Sequence, residues 1–131
     1  MYLKDAQFVI YVKDISKSRK FYSELFGSEP SIDKPNYVEI PINNHFKLGI
    51  VSEESIVRVL GTKVPHPMIA NGIPRNEIYL IVDHPEVLFE KAIKGGAEEI
   101  SRLSRRSWGH LVAYAMDFDG NVLAFADSEA V

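Results

Sequence analysis

Apolar and polar residues follow two alternating rhythms along this chain, and their order is the first clue to its build. "QFVIYVKD", residues 7–14, is rich in β-branched and aromatic residues and predicts a strand. In "ISKSRKFYSELFG" the rhythm changes. Ile15, Ser18, Phe21, Tyr22 and Leu25 share one helical face, Asp14 or Ser16 can cap its start, and Gly27 is placed to end it. "YVEIPI" and "FKLGIVS" then predict two strands joined through "NNH" as a hairpin.

Residues 52–75 lose the rhythm, holding two prolines around His66 and a short helical pattern at "SIVRVLG". The first pattern then returns. "NEIYLIVD" predicts a strand, and "HPEVLFEKAIKGG" predicts a helix with Pro85 in its first turn and Gly95-Gly96 at its end. "AEEISRL", "HLVAYAM" and "NVLAFAD" predict three more strands, the last two joined through Asp119-Gly120. Asp14 corresponds to Asp83 and Gly27 to Gly96, both at an offset of 69 residues. The same punctuation in the same order of elements indicates an internal duplication.

The expected fold is therefore α+β, with two βαβββ units (about 1–52 and 76–131) in a single domain, joined by a loop over 53–75. Such units build a curved mixed sheet with the helices outside. Alternate strand residues would line a concave cavity, because side chains alternate across a sheet with period two.

Composition narrows the function classes. At 131 residues the chain suits one domain, and 46% hydrophobic with 25% charged residues is ordinary globular composition. A net charge of −3 argues against a nucleic-acid partner. Arg102, Arg105 and Arg106 form a local basic run, read as a solvated strand end or as an anion patch. The absence of cysteine removes disulfides, thiolate metal sites and cysteine nucleophiles. "MYLKDAQ" lacks the features of a signal peptide, and no apolar run reaches the ~20 residues of a membrane span, so a cytoplasmic protein without membrane contact is expected. His45, His66, His84 and His110 are scattered without HExxH spacing, and G-x-S-x-G is absent. Each histidine is accordingly read as structural or solvent-facing.

"FVIYVKDISKSRKFYSELFG" resembles the opening strand and helix of the vicinal oxygen chelate superfamily. That superfamily includes glyoxalase I, extradiol dioxygenases, fosfomycin-resistance enzymes and bleomycin-resistance proteins. "WGHLVAYAMDFDGNVLAFAD" resembles its closing hairpin, with Phe118 where proline is usual. The resemblance implies a homodimer and, in metal-dependent members, four ligands: His or Gln, Glu, His and Glu on equivalent strands. By position these fall on Gln7, Gly49, Glu77 and Ala124. Both carboxylate positions lack a donor, and a one-residue slip offers only apolar neighbours on the opposite face. No cofactor is therefore expected; Gln7 and Glu77 would be the ligands if a divalent metal bound.

What the cavity keeps is aromatic. Gln7 and Tyr11 share one parity on the first strand, and Glu77 and Tyr79 share one on the fifth. Phe46, Trp108, Tyr114 and Phe125 add surface suited to planar or cationic ligands. Trp108 reads equally as an edge residue packed on the partner unit. Glu77 reads as a general base or counter-ion, or as an exposed strand start bonded to Arg75. The expected ligand-binding residues are Gln7, Tyr11, Phe46, Gly49, Tyr79, Trp108, Tyr114 and Ala124, with Glu77 as the candidate catalytic group. The leading expectation is a metal-free small-molecule binder of the bleomycin-resistance type. The alternatives are a metal-dependent lyase or isomerase of the glyoxalase I type, and an interaction module that has lost its ligand.

Overall fold

A computed structural model describes residues 4–129 and divides the chain into two units, meeting at Asn71 and Gly72. The first unit contains β1 (Phe8–Val12), α1 (Ile15–Phe26), β2 (Ile32–Lys34), β3 (Tyr37–Pro41), β4 (Lys47–Ser52) and α2 (Glu53–Leu60). The second contains β5 (Glu77–Ile81), α3 (Pro85–Lys94), β6 (Glu98–Arg105), β7 (Leu111–Met116) and β8 (Val122–Asp127). Short 3-10 turns at Gly61–Lys63 and Pro67–Ala70 follow α2.

Each unit carries a four-stranded mixed sheet of the same topology, β1-β4-β3-β2 in the first and β5-β8-β7-β6 in the second. The outer strand runs parallel to the last strand of its unit, β1 to β4 and β5 to β8, and the remaining pairs are antiparallel. This is the βαβββ unit used twice.

Local chemistry sets the helix ends. Asp14 caps α1 by accepting from the Lys17 amide, and Gly27 ends it in the left-handed conformation at φ +61°. Pro85 opens α3, where its missing N–H costs nothing. Gly96, at φ +110°, follows α3, and a β-carbon there would lie 3.0 Å from the Phe118 ring. Phe118, in place of the usual proline, thus packs against that helix end.

Each long helix covers one face of its own sheet. Phe21, Tyr22 and Leu25 of α1 are buried together with Ile10, Val12, Val38, Ile40, Leu48 and Ile50, which share one parity on β1, β3 and β4. In the second unit Phe89 and Ala92 of α3 are buried with Ile78, Ala113, Ala115, Leu123 and Phe125. Burying six such aliphatic strand residues contributes about 1.5–3 kcal/mol each. β2 eludes the sequence pattern because its three residues are all exposed; only its pairing with β3 defines it. Among the described residues no helix is long and apolar enough to cross a membrane.

Candidate functional site

The polar and aromatic residues of interest lie on the sheet faces opposite the long helices, one set in each unit.

In the second unit this face carries Glu77, Tyr79 and Ile81 of β5, Val112 and Tyr114 of β7, and Ala124 and Ala126 of β8. Ala124 pairs with Tyr79 on one side and Tyr114 on the other. Val112, Ala124 and Ala126 form a buried apolar floor, with both tyrosine rings packed against it. A small residue at 124 is what lets the rings meet the sheet. Above the floor, the Trp108 indole N–H donates to the Tyr79 hydroxyl at 2.9 Å, and that hydroxyl lies 2.7 Å from His110 Nδ1. An indole nitrogen can only donate, so the Tyr79 oxygen accepts from it while sharing a second hydrogen bond with His110. Trp108 is 53% exposed, so its edge is fixed while its ring remains open.

Glu77 is exposed at the start of β5 and makes no side-chain hydrogen bond or ion pair with Arg75 or any other described residue. Its charge nevertheless reaches Tyr114. Burial chiefly, then the Glu77 and Tyr79 charges, raise the Tyr114 phenol above its ordinary value, with Arg106 opposing. The basic run lies at the exposed end of β6, where Arg102 and Arg105 face solvent and only Arg106 is half-buried. Arg106 donates to the carbonyls of Val112 and Arg102 and to Ser101 Oγ, and its guanidinium stands 5.0 Å from the centre of the Tyr114 ring. Arg105 donates to the Gly109 carbonyl, and exposed Arg102 pairs with Glu99. The Arg106 guanidinium, bonded to Arg102 and Ser101 of β6 and to Val112 of β7, clips together the irregular β6–β7 pairing, where the register shifts twice.

In the first unit the corresponding face carries Gln7 just before β1, Val9 and Tyr11 on β1, Tyr37 and Glu39 on β3, and Gly49 on β4. Gln7 Nε2 donates to the Tyr37 hydroxyl at 2.7 Å, which donates to Glu39 Oε2 at 2.8 Å. A β-carbon on Gly49 would lie 2.9 Å from Val9 Cγ2 and 3.2 Å from the Tyr37 hydroxyl. Gly49 is therefore the floor under the Tyr37 ring. Burial and the adjacent Glu39 carboxylate raise the Tyr37 phenol, and the Gln7 amide partly offsets them. Phe46 sits apart, in the β3–β4 turn.

Gln7 and Gly49 thus meet around Tyr37, and Glu77, Tyr79, Trp108, Tyr114 and Ala124 share the face of the second unit. Sequence reasoning passed over Tyr37 and Glu39, although an acid two residues from a tyrosine in an otherwise apolar strand is a visible signal. His110, read as structural or solvent-facing, is bonded to Tyr79, a partner that nothing in its spacing announced. The two positions without a donor do not fit the family's divalent-ion pattern. The space over Gly49 is taken by Tyr37 and Val9, and Ala124 is fully buried between tyrosines. Among the described residues no three His, Asp or Glu side chains gather as metal ligands.

The pattern of the glyoxalase-like domain matches residues 6–130. The chain is 30% identical over 131 residues to the trivalent organoarsenical cleaving enzyme of Bacillus sp. (strain MD1), covering 94% of this chain and 72% of that one. Its fold is similar to that of a glyoxalase-related enzyme from Fulvimarina pelagi, with a TM-score of 0.77 at 21% identity over 95% of this chain and 87% of the other. It is also similar to the bleomycin resistance determinant encoded on the transposon Tn5, with a TM-score of 0.63 at 16% identity over 98% and 100% of the two chains. With the duplicated βαβββ unit, these similarities establish that the chain belongs to the glyoxalase-like domain family of the vicinal oxygen chelate superfamily.

Proposed function

We propose that this protein binds a small planar or cationic molecule on the aromatic sheet face of its second unit, without a metal, and acts by sequestering it. The hydrogen bond from Trp108 to Tyr79 carries this reading. It holds a large ring by its edge and leaves a face for stacking, an arrangement that lowers the ordering cost of binding. Exposed Glu77 on the same face adds a counter-charge for a cation. The proposal includes the homodimer that the family resemblance suggests and the cytoplasmic setting expected from the sequence.

Cleavage of a trivalent organoarsenical, the activity named for the Bacillus relative, fits this chain poorly. Trivalent arsenic is thiophilic, and the chain has no cysteine. A lyase of the glyoxalase I type remains the second reading. It is favoured by the Tyr79–His110 pair, a proton donor and acceptor in contact, and opposed by the absence of a carboxylate at positions 49 and 124.

Trp108 is the sole tryptophan, so its fluorescence reports on the site directly. A thermal-shift screen of planar and cationic compounds should yield ligands that quench it saturably. The Trp108→Phe variant should weaken their binding at least tenfold, measured by calorimetry. Ligands that bind Trp108→Phe as tightly as wild type would remove the basis of the proposal. Stoichiometric Ni²⁺ or Zn²⁺ binding at micromolar affinity would favour the lyase instead.

A further inference from the structure

We propose that the Glu39 carboxylate, oriented by Tyr37, is a recognition site on the first unit for the ammonium or guanidinium group of a small amine with an apolar body. The inference concerns a different sheet face from the proposed binding site and does not rest on it.

Glu39 is 9% exposed, and burial of a carboxylate is costly unless its oxygens are well bonded. Only one oxygen is. Oε2 accepts the short bond from Tyr37, while Oε1 faces the Lys47 ammonium at 3.5 Å. That separation is well beyond the ~2.7–2.9 Å of a good charged hydrogen bond. Lys47 is held loosely: its side chain is 41% exposed and it also stands 3.9 Å from Asp5. It is a flexible placeholder that a better-placed cation can displace.

Orientation is built in. Gln7 donates to the Tyr37 oxygen, which turns the phenolic proton toward Glu39 and fixes the carboxylate. The surroundings specify the rest of the ligand. Glu39 lies directly across the ladder from Gly49, which has no side chain, and Val9 pairs with Gly49 on the far side. Val9 and Tyr11 are each 38% exposed on that face, offering apolar surface beside a buried anion. A cation on a hydrophobic stem matches both features, whereas an anion or a neutral alcohol lacks the charge that Oε1 calls for.

The test is a titration of the isotopically labelled full chain with benzylammonium chloride, followed by amide chemical shifts, with benzyl alcohol as the uncharged control. The expected result is saturable shifts at the amides of Val9, Glu39 and Gly49 with the amine and weak, unsaturated ones with the alcohol. Glu39→Gln should weaken binding at least tenfold. Lys47→Met should tighten it several-fold by removing the competing ammonium, and this variant decides the matter if Glu39→Gln does not fold. Absence of saturable shifts, equal binding of the alcohol, or an affinity unchanged in Lys47→Met would each overturn the proposal.

Discussion

The Tyr37 hydroxyl stands 3.2 Å from the place where a β-carbon on Gly49 would sit. A position that looks like an emptied ligand site is therefore one side of a packed contact, in which a glycine makes room for a tyrosine. Gly49→Ala should cost about 1–3 kcal/mol, because both Val9 and Tyr37 must move. Urea denaturation checks this, with the midpoint falling and the slope unchanged. Gly49→Glu should not create metal affinity, since its carboxylate would have to displace the same ring; isothermal titration with Zn²⁺ is the measurement.

Removing the Tyr79 hydroxyl takes one partner from Trp108 and one from His110. Because both neighbours can turn to water, Tyr79→Phe should cost no more than about 1.5 kcal/mol. The emission maximum of Trp108 should nevertheless move, since its N–H exchanges a fixed acceptor for solvent. An unchanged spectrum would mean that the bond is absent in solution.

At the β7–β8 turn Asp117 accepts from the amides of Asp119 and Asn121 and from the Asn121 side chain, which in turn accepts from Asn76. Asp117→Ala takes the acceptor from the buried Asn121 amide and side chain and should destabilise the chain by about 2–3 kcal/mol. Thermal unfolding of this variant beside Asp117→Asn would show how much the charge contributes.

Arg19 of α1 holds Asp33 of β2 by two parallel bonds of 3.0 and 2.7 Å. The guanidinium hydrogen bond lowers the Asp33 carboxyl below its ordinary value of 3.8. A lowered folded-state value means that the stabilisation is present at neutral pH and is lost as pH falls through that value. The pair is exposed, so Asp33→Asn should lower the melting temperature slightly at pH 7. The difference from wild type should close on acidification and shrink with added salt. A gap that persists in acid would show that the charge is not its source.

Much of the fold could be read directly from residues. Asp14 before an apolar helical face and Gly27 after it mark α1. At offset 69 the order of elements repeats but the caps do not, since α3 begins at His84 without a side-chain cap and ends at Gly95. "NNH" and Asp119-Gly120 mark the two hairpins. β2 left no such mark, since three exposed residues of mixed character have no face to bury.

The candidate site was legible only in outline. Strand parity grouped Gln7 with Tyr11 and Glu77 with Tyr79, because alternation is a property of the single strand, whereas Gly49 and Ala124 were reached only through the family resemblance. Which side chains touch was decided by tertiary structure, since cross-strand neighbours depend on register and on rotamers that the pattern does not encode. Hence Gln7 reaches Tyr37, thirty residues away, and Tyr79 reaches His110, thirty-one residues away. By itself the sequence determined where the chain turns, which faces are apolar and that none of its residues supplies a thiol. Only the packed sheets decided that Gly49 is a floor, that Arg106 is a clip and that Glu39 is a buried acid, because each depends on what folding brings beside it.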